Sequence, residues 1–283
     1  MMIQNAPPGE PRFIGLMAEH NDLCGQFARA FGNDRFQRIE PYEEMLYVVS
    51  HHDRGWDERD ANPILDPAAG VPFGIGGGPT LDGLATSRKS PDFNERHHAY
   101  AGLLSSMHSW GLYNARYGFS AFRTRKGGST SIPIKPDFEN ETRAMLDHEL
   151  ARQQRLKAAL AADPATSGWV EEKHLIQNYK QLQFFDTLAL YFNLRHEDER
   201  GEEVYVHVPM TAETDATITL RPAGGGTYTL EPFPFAGDRV EVFNHGRYLK
   251  PFAKGEAPDD LGAALRALPP AMQVYTFVPA DAA

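Results

Sequence analysis

His20, His52, Asp53, His108 and Asp186 are polar residues at positions where helical periodicity asks for apolar ones. His20 stands three residues after Met17 and three before Leu23. His52 continues the series Met45, Val48, Val49, and Asp53 continues Leu46 and Val49. His108 follows Tyr100, Leu104 and Met107. Asp186 lies within LQFFDTLALYF, on the face of Tyr179, Leu182, Ala189 and Leu190. A carboxylate buried among apolar groups costs several kcal/mol unless it is paired or bound to a metal. Imidazole nitrogen and carboxylate oxygen are ordinary ligands for Fe, Mn, Zn, Ni or Co. Convergence of all five residues on one or two divalent cations would remove the cost. A lone histidine on such a stripe is more often an ordinary core residue, and a lone aspartate can cap a helix or pair with an arginine. Periodicity alone leaves both readings open, and the recurrence on four separate helices is the argument for metal.

The chemistry of such a centre is hydrolysis by metal-activated water, and a phosphoester substrate also needs positive charge around its phosphoryl oxygens. Arg116, Arg123, Arg125, Lys126 and Lys135 form a basic run with no acidic residue between 116 and 135. Its segment RKGGSTS is read either as a lid over an anion or as a solvated loop. Trp56, Trp110 and Tyr113 are expected near the same mouth, where they would stack on substrate or close the core. Tyr179 and Gln183 precede Asp186 by one or two turns and would touch substrate or orient the carboxylate. Asp57 and Asp60 lie close after His52-Asp53 and would assist or be solvated charges at a helix end. Cys24 reads as an inert small hydrophobe. GIGGGP at 74–79 lacks the strand and helix of a dinucleotide fingerprint, and Ser105-Ser106 is not set in a nucleophile elbow.

The elements that must position these residues are read as helices over 13–31, about 41–54, 94–110, 137–161 and 168–196, with a long loop at 57–93. After residue 200 the pattern changes. Val204, Val206 and Val208 alternate as in a half-buried strand, and AGGG at 223–226 joins two strands of a hairpin. Further strand signals follow at 239–243 and at the end of the chain, where a short helix comes first. The expectation is therefore a mainly α fold: a helical, metal-binding core over 1–200 and a small β-rich C-terminal appendage over 201–283, packed on that core.

The chain has 283 residues, 41% hydrophobic and 23% charged, which is globular composition. Its single cysteine rules out an internal disulfide and a cysteine-rich zinc site. The formal charge of −10 argues against sequence-independent nucleic-acid binding. No run is long and apolar enough for a transmembrane helix, and no signal peptide is visible. A cytoplasmic location without a membrane partner is expected. A small anionic molecule is the expected partner, and the oligomeric state is left open, a homodimer included.

The order His20, His52-Asp53, Asp186 resembles the H…HD…D motif of the HD superfamily of metal-dependent phosphohydrolases. That resemblance implies a helical HD-like core in which the adjacent His and Asp both bind metal and the Asp can bridge two ions. Asp53 and His108 would then serve catalysis, with His108 matching the additional histidine of two-metal members. His97 or His98 would be needed as a further histidine. His97 stands eleven residues before His108, about 16 Å along one straight helix, so a second ligand from this pair requires the helix to begin after residue 98. Nearly the whole chain is also similar to domain of unknown function 3891. The stretches that carry this likeness are AEHNDLCGQFARAFG around His20, HHDRGWDERDANPILDPAAGVP at 51–72, YAGLLSSMHSWGLY at 100–113, NYKQLQFFDTLALY at 178–191 and TLEPFPF at 229–235. This second likeness implies no activity, whereas the HD resemblance, confined to the helical part, implies an HD-type hydrolase, expected here to act on a small phosphorylated substrate, a phosphoester or nucleotide. An HD-type di-iron oxygenase and a non-catalytic ligand-sensing module are the alternatives.

Overall fold

A computed structural model describes residues 1–115, 124–128 and 131–282. The chain opens with two short strands, β1 (Met2–Ile3) and β2 (Arg12–Gly15), before helix α1 (Met17–Ala30). The Leu16 amide donates to the Glu19 carboxylate at 2.7 Å, which satisfies a free N–H at the start of α1. Helix α2 (Tyr42–Val49) is followed by a turn, a 3-10 segment at Arg54–Trp56 and the short α3 (Asp57–Ala61). A small ladder of β3 (Leu65–Asp66) and β4 (Val71–Pro72) precedes α4 (Thr80–His97) and α5 (Ala99–Gly111). Two long helices, α6 (Glu139–Ala162) and α7 (Glu172–Leu194), complete the helical layer. Strands β5 (Glu203–Pro209), β6 (Asp215–Gly224), β7 (Thr227–Glu231) and β8 (Val240–Leu249), helix α8 (Leu261–Ala267) and strand β9 (Ala271–Pro279) follow.

The main sheet runs β1-β2-β8-β9-β7-β6-β5, antiparallel except where β7 meets β9. About 47% of the chain is helix and 20% strand, and this seven-stranded curled sheet draws on both ends of the chain. The fold is therefore α/β, and the expectation of a mainly α chain with a small β appendage is overturned. The physical reason lies in β2. Its four residues, RFIG, are too short to show alternation, and Phe13 continues the apolar spacing of α1, so strand and helix merge into one helical pattern. Only pairing with β8, Arg12 to Leu249 and Ile14 to Arg247, makes these residues a strand.

One apolar core joins the two layers. Phe27 and Phe31 of α1 and Phe185, Leu188 and Phe192 of α7 share it with Tyr205, Ile218, Leu230, Val242 and Phe277 of the sheet. Helix α7 is buried around most of its circumference, its polar residues Gln177, Asn178, Gln181, Gln183, Asp186, Thr187 and Asn193 included. It touches α1, α2, α5 and β5. Two local boundaries also differ from the sequence reading. The stretch 57–93 is not a loop throughout, because α4 begins at Thr80. The helix bearing His108 begins at Ala99 rather than near 94, with His98 accepting the Tyr100 amide at its N-terminus. No helix among the described residues is long and apolar enough to cross a membrane.

Candidate metal centre

Helix α2 ends at Val49, and residues 50–53 turn away from its axis. His52 and Asp53 therefore sit in the turn rather than on the helix stripe. His52 Nδ1–H donates to the Val49 carbonyl at 2.9 Å, satisfying one of the open acceptors of the helix end. The turn is held from outside by α4 and α5. Asn94 Nδ2 donates to the His51 carbonyl at 2.9 Å, Ser105 Oγ to the His52 carbonyl at 3.1 Å, and the Gly55 amide to Ser90 Oγ at 2.9 Å.

The remaining three positions arrive from three helices, His20 from α1, His108 from α5 and Asp186 from α7. His20 Nε2 lies 3.4 Å from Asp186 Oδ1. His52 Nε2 lies 4.0 Å from the same oxygen and 3.8 Å from Asp53 Oδ2. His108 Nε2 lies 3.8 Å from Asp53 Oδ1. The ring of His52 stands edge-on between those of His20 and His108, with centroids at 5.5 and 4.8 Å. All three imidazoles and Asp186 are buried, while the Asp53 side chain keeps 18% of its surface open.

Each imidazole is held by its other nitrogen, the arrangement that fixes the ring and tautomer of a metal ligand. His20 Nδ1–H donates to Asn193 Oδ1 at 2.7 Å. Asn193 in turn donates to Asn244 Oδ1 at 2.9 Å, which fixes the orientation of its amide. In their neutral forms His20 and His52 therefore carry the lone pair on Nε2, directed in both at carboxylates. His108 Nδ1 lies 2.9 Å from the Gln183 side-chain nitrogen. As placed, that contact puts the His108 proton on Nε2, and a half-turn of the carboxamide would release it.

His52 Nε2 is buried and has no hydrogen-bond partner among the described residues. Lone pairs and carboxylate oxygens facing one another away from water call for a positive charge between them. The same demand shows in His20. Burial disfavours its imidazolium, yet Cys24 and Asp186 outweigh burial and raise its pKa well above the ordinary value. Burial pushes the Cys24 thiol up, against the opposing influence of His20. Two groups offer ligand atoms lying within 4.8 Å of one another: His20, Cys24 and His52, and His52, Asp53 and His108. These buried His, Cys and Asp side chains could hold a metal ion, and the orphaned His52 nitrogen and the mixed N/O donor set fit one.

A cavity of about 360 Å³ opens beside the cluster, reached by Asp53, His108 and Asp186. Its walls include Trp56, Tyr113, Leu112 and Ile75, with Arg59 and Lys135 as cations. The Arg59 guanidinium rests 4.7 Å over the Trp56 ring and donates to the Gly77 carbonyl at 2.7 Å. The glycine run 76–78 is thus a wall of the cavity. Other expected residues fall elsewhere. Trp110 packs against the Leu84, Met145 and Leu146 cluster and is not among the described lining residues. Tyr179 donates to the Met107 carbonyl at 2.9 Å, and the Gln183 side-chain nitrogen lies 2.9 Å from His108 Nδ1. Asp57 pairs with Arg54 at 2.6 Å, and Asp60 accepts the Met17 amide. His97 stacks on Tyr47, and His98 caps α5. Arg125 pairs with Glu203 at 3.1 Å. Arg116 and Arg123 lie outside the described residues.

Sequence reasoning missed Asn193, Asn94 and Ser105; a polar residue within an apolar helix, the signal used for the histidines, was present for Asn193 and Ser105 but not for Asn94, whose helix is largely polar. It also took Cys24 for an inert hydrophobe, whereas its sulfur lies 3.6 Å from His20 Nε2.

A family model described as "Protein of unknown function (DUF3891)" matches residues 2–251, and the chain belongs to that family. No curated protein and no solved structure matches it.

Proposed function

We propose that this member of the DUF3891 family is a metal-dependent hydrolase of a small phosphorylated molecule, with His20, His52, Asp53, His108 and Asp186 holding one or two divalent ions (Fe, Mn, Zn, Ni or Co). The observation that carries the reading is the buried Nε2 of His52, without a hydrogen-bond partner among the described residues, facing two carboxylates and flanked by two further imidazoles. The likeness to the HD superfamily is supported by this ligand set and not by the fold. A bound divalent ion would supply Lewis acidity, acidifying water and polarising a phosphoryl oxygen. The chain's own residues divide the remaining work. Asp53, the more open of the two carboxylates and a lining residue of the cavity, would accept a proton from attacking water. Arg59, held by Trp56 and Gly77, and Lys135, which donates to Thr80 Oγ1 at 3.0 Å, provide positive charge for an anionic group. Trp56, Tyr113, Leu112 and Ile75 would take an apolar or ring-bearing body.

Elemental analysis of protein purified without chelator tests the centre. Stoichiometric metal in the parent, its loss in His52→Ala and Asp186→Ala, and turnover of a phosphate ester from a panel are the expected results. Absence of metal from the parent, with unchanged thermal stability after chelation, would defeat the proposal and favour a ligand-sensing module. The two donor groups that share His52 favour a second reading, a two-ion centre used as a di-iron oxygenase. A spin-coupled mixed-valent iron signal, without phosphate release, would select it.

A further inference from the structure

We propose that Cys24 is an additional ligand of this centre, and that its thiolate makes the site selective for zinc, iron(II) or cobalt(II) over magnesium and manganese. The inference rests on the reading of the cluster as a metal centre and adds to it the identity of the ion.

Three observations carry it. Cys24 follows His20 by four residues on α1, the spacing that puts two side chains on one helix face a turn apart. Its sulfur lies 3.6 Å from His20 Nε2. Tetrahedral ligands on one ion stand about 3.5 Å apart, and the sulfur, which is also 4.0 Å from His20 Nδ1 and so lies beside the ring, has to swing toward the Nε2 lone pair to share that ion. The third observation is independent of the cysteine. His52 Nε2, fully buried and without a partner among the described residues, is aimed into the same space, and the ligand atoms of His20, Cys24 and His52 all lie within 4.8 Å of one another. Asp186 Oδ1, 3.4 Å from His20 Nε2, offers an oxygen beside these three.

Thiolate is a soft donor. It favours borderline ions such as zinc, cobalt(II) and iron(II), whereas a centre of carboxylates and water suits magnesium and manganese. On binding, the S–H bond of Cys24 is replaced by a sulfur–metal bond, and one proton passes to solvent. No redox change is involved.

The test uses the full chain, stripped of metal and titrated with cobalt(II). A thiolate-to-cobalt charge-transfer absorption is expected in the parent. It should be absent in Cys24→Ser and Cys24→Ala, each binding cobalt at least about 10-fold more weakly. Excess magnesium should not displace the ion. Zinc K-edge absorption on the unsubstituted chain reads the same assignment without a variant, as one sulfur at about 2.3 Å. Bound cobalt with a spectrum of nitrogen and oxygen ligands alone, or a zinc shell without sulfur, overturns the assignment of Cys24 while leaving the centre intact. Failure to bind either ion overturns the centre and this inference together.

Discussion

At the scale of single residues, the centre depends on which ring nitrogen of each histidine carries the proton. Asn193 decides this for His20, because its own amide is oriented by Asn244 and presents only an oxygen to Nδ1. Asn193→Ala is therefore expected to weaken metal binding by about 10–100-fold while retaining the helical signal. Competition with a chromogenic chelator measures this, and an unchanged affinity would show that the ring needs no such restraint. The five candidate ligands were visible in the sequence because a charged or titratable group inside an apolar series is costly and so conspicuous. Their partners were less visible. Asn193 in LYFNL is neutral, and a buried amide needs only a hydrogen bond, which many local arrangements supply.

At the scale of elements, the turn after α2 matters more than α2 itself. Gly55 lets that turn lie directly on α4. A Cβ there would stand 2.4 Å from the Thr86 carbonyl oxygen and 2.5 Å from the Ser90 nitrogen. Gly55→Ala should cost about 1–3 kcal/mol of stability through this overpacking, and should lower metal affinity by displacing His52 and Asp53. Thermal melts with and without added metal separate the two effects. Helices α4 and α6 are tied by a buried Arg152, which donates to Glu149 at 3.0 Å and also to Asp92 and Glu95. Arg152→Ala would leave Glu149 charged and fully buried, a loss of about 3–5 kcal/mol. Burial holds the Glu149 carboxyl above its ordinary pKa, even against Ser106 and Arg152. Its protonated form favours the fold, so that contribution is complete below about pH 4.3 and is lost as pH rises through the raised value. The deficit of Arg152→Ala should accordingly shrink as the pH is lowered toward 4. A deficit independent of pH would point to lost packing instead.

At the scale of the molecule, sheet and helices are halves of one core rather than neighbours. Phe27 stacks on Phe235 and meets Phe277 edge-on, and Phe192 meets Tyr228 and Tyr275. Removing residues 201–283 would expose the α1 and α7 faces that these rings cover. A chain ending at residue 200 should therefore show no cooperative thermal transition, as read by circular dichroism, and should bind no metal. A folded, metal-binding fragment would show that the helical layer is self-sufficient. The candidate centre is also a property of the whole: His20 is positioned through Asn193 and Asn244 by α7 and β8, so the sheet reaches the centre through a chain of hydrogen bonds.

Local pattern by itself determined the long helices α6 and α7, the strands after residue 200, and the identity of five side chains that would have to share a charge. Those features rest on spacing within a few turns or a few residues, which a linear chain records directly. Tertiary structure alone decided that residues 12–15 are a strand, because four residues carry no period and take their hydrogen bonds from β8, more than two hundred positions away. It also decided that His52 and Asp53 lie in a turn braced by α4 and α5, and that His52 comes up to the helix face that His20 and Cys24 share. Those outcomes depend on where a helix ends and what lies across from it, and the forces that fix them act between segments far apart in the chain.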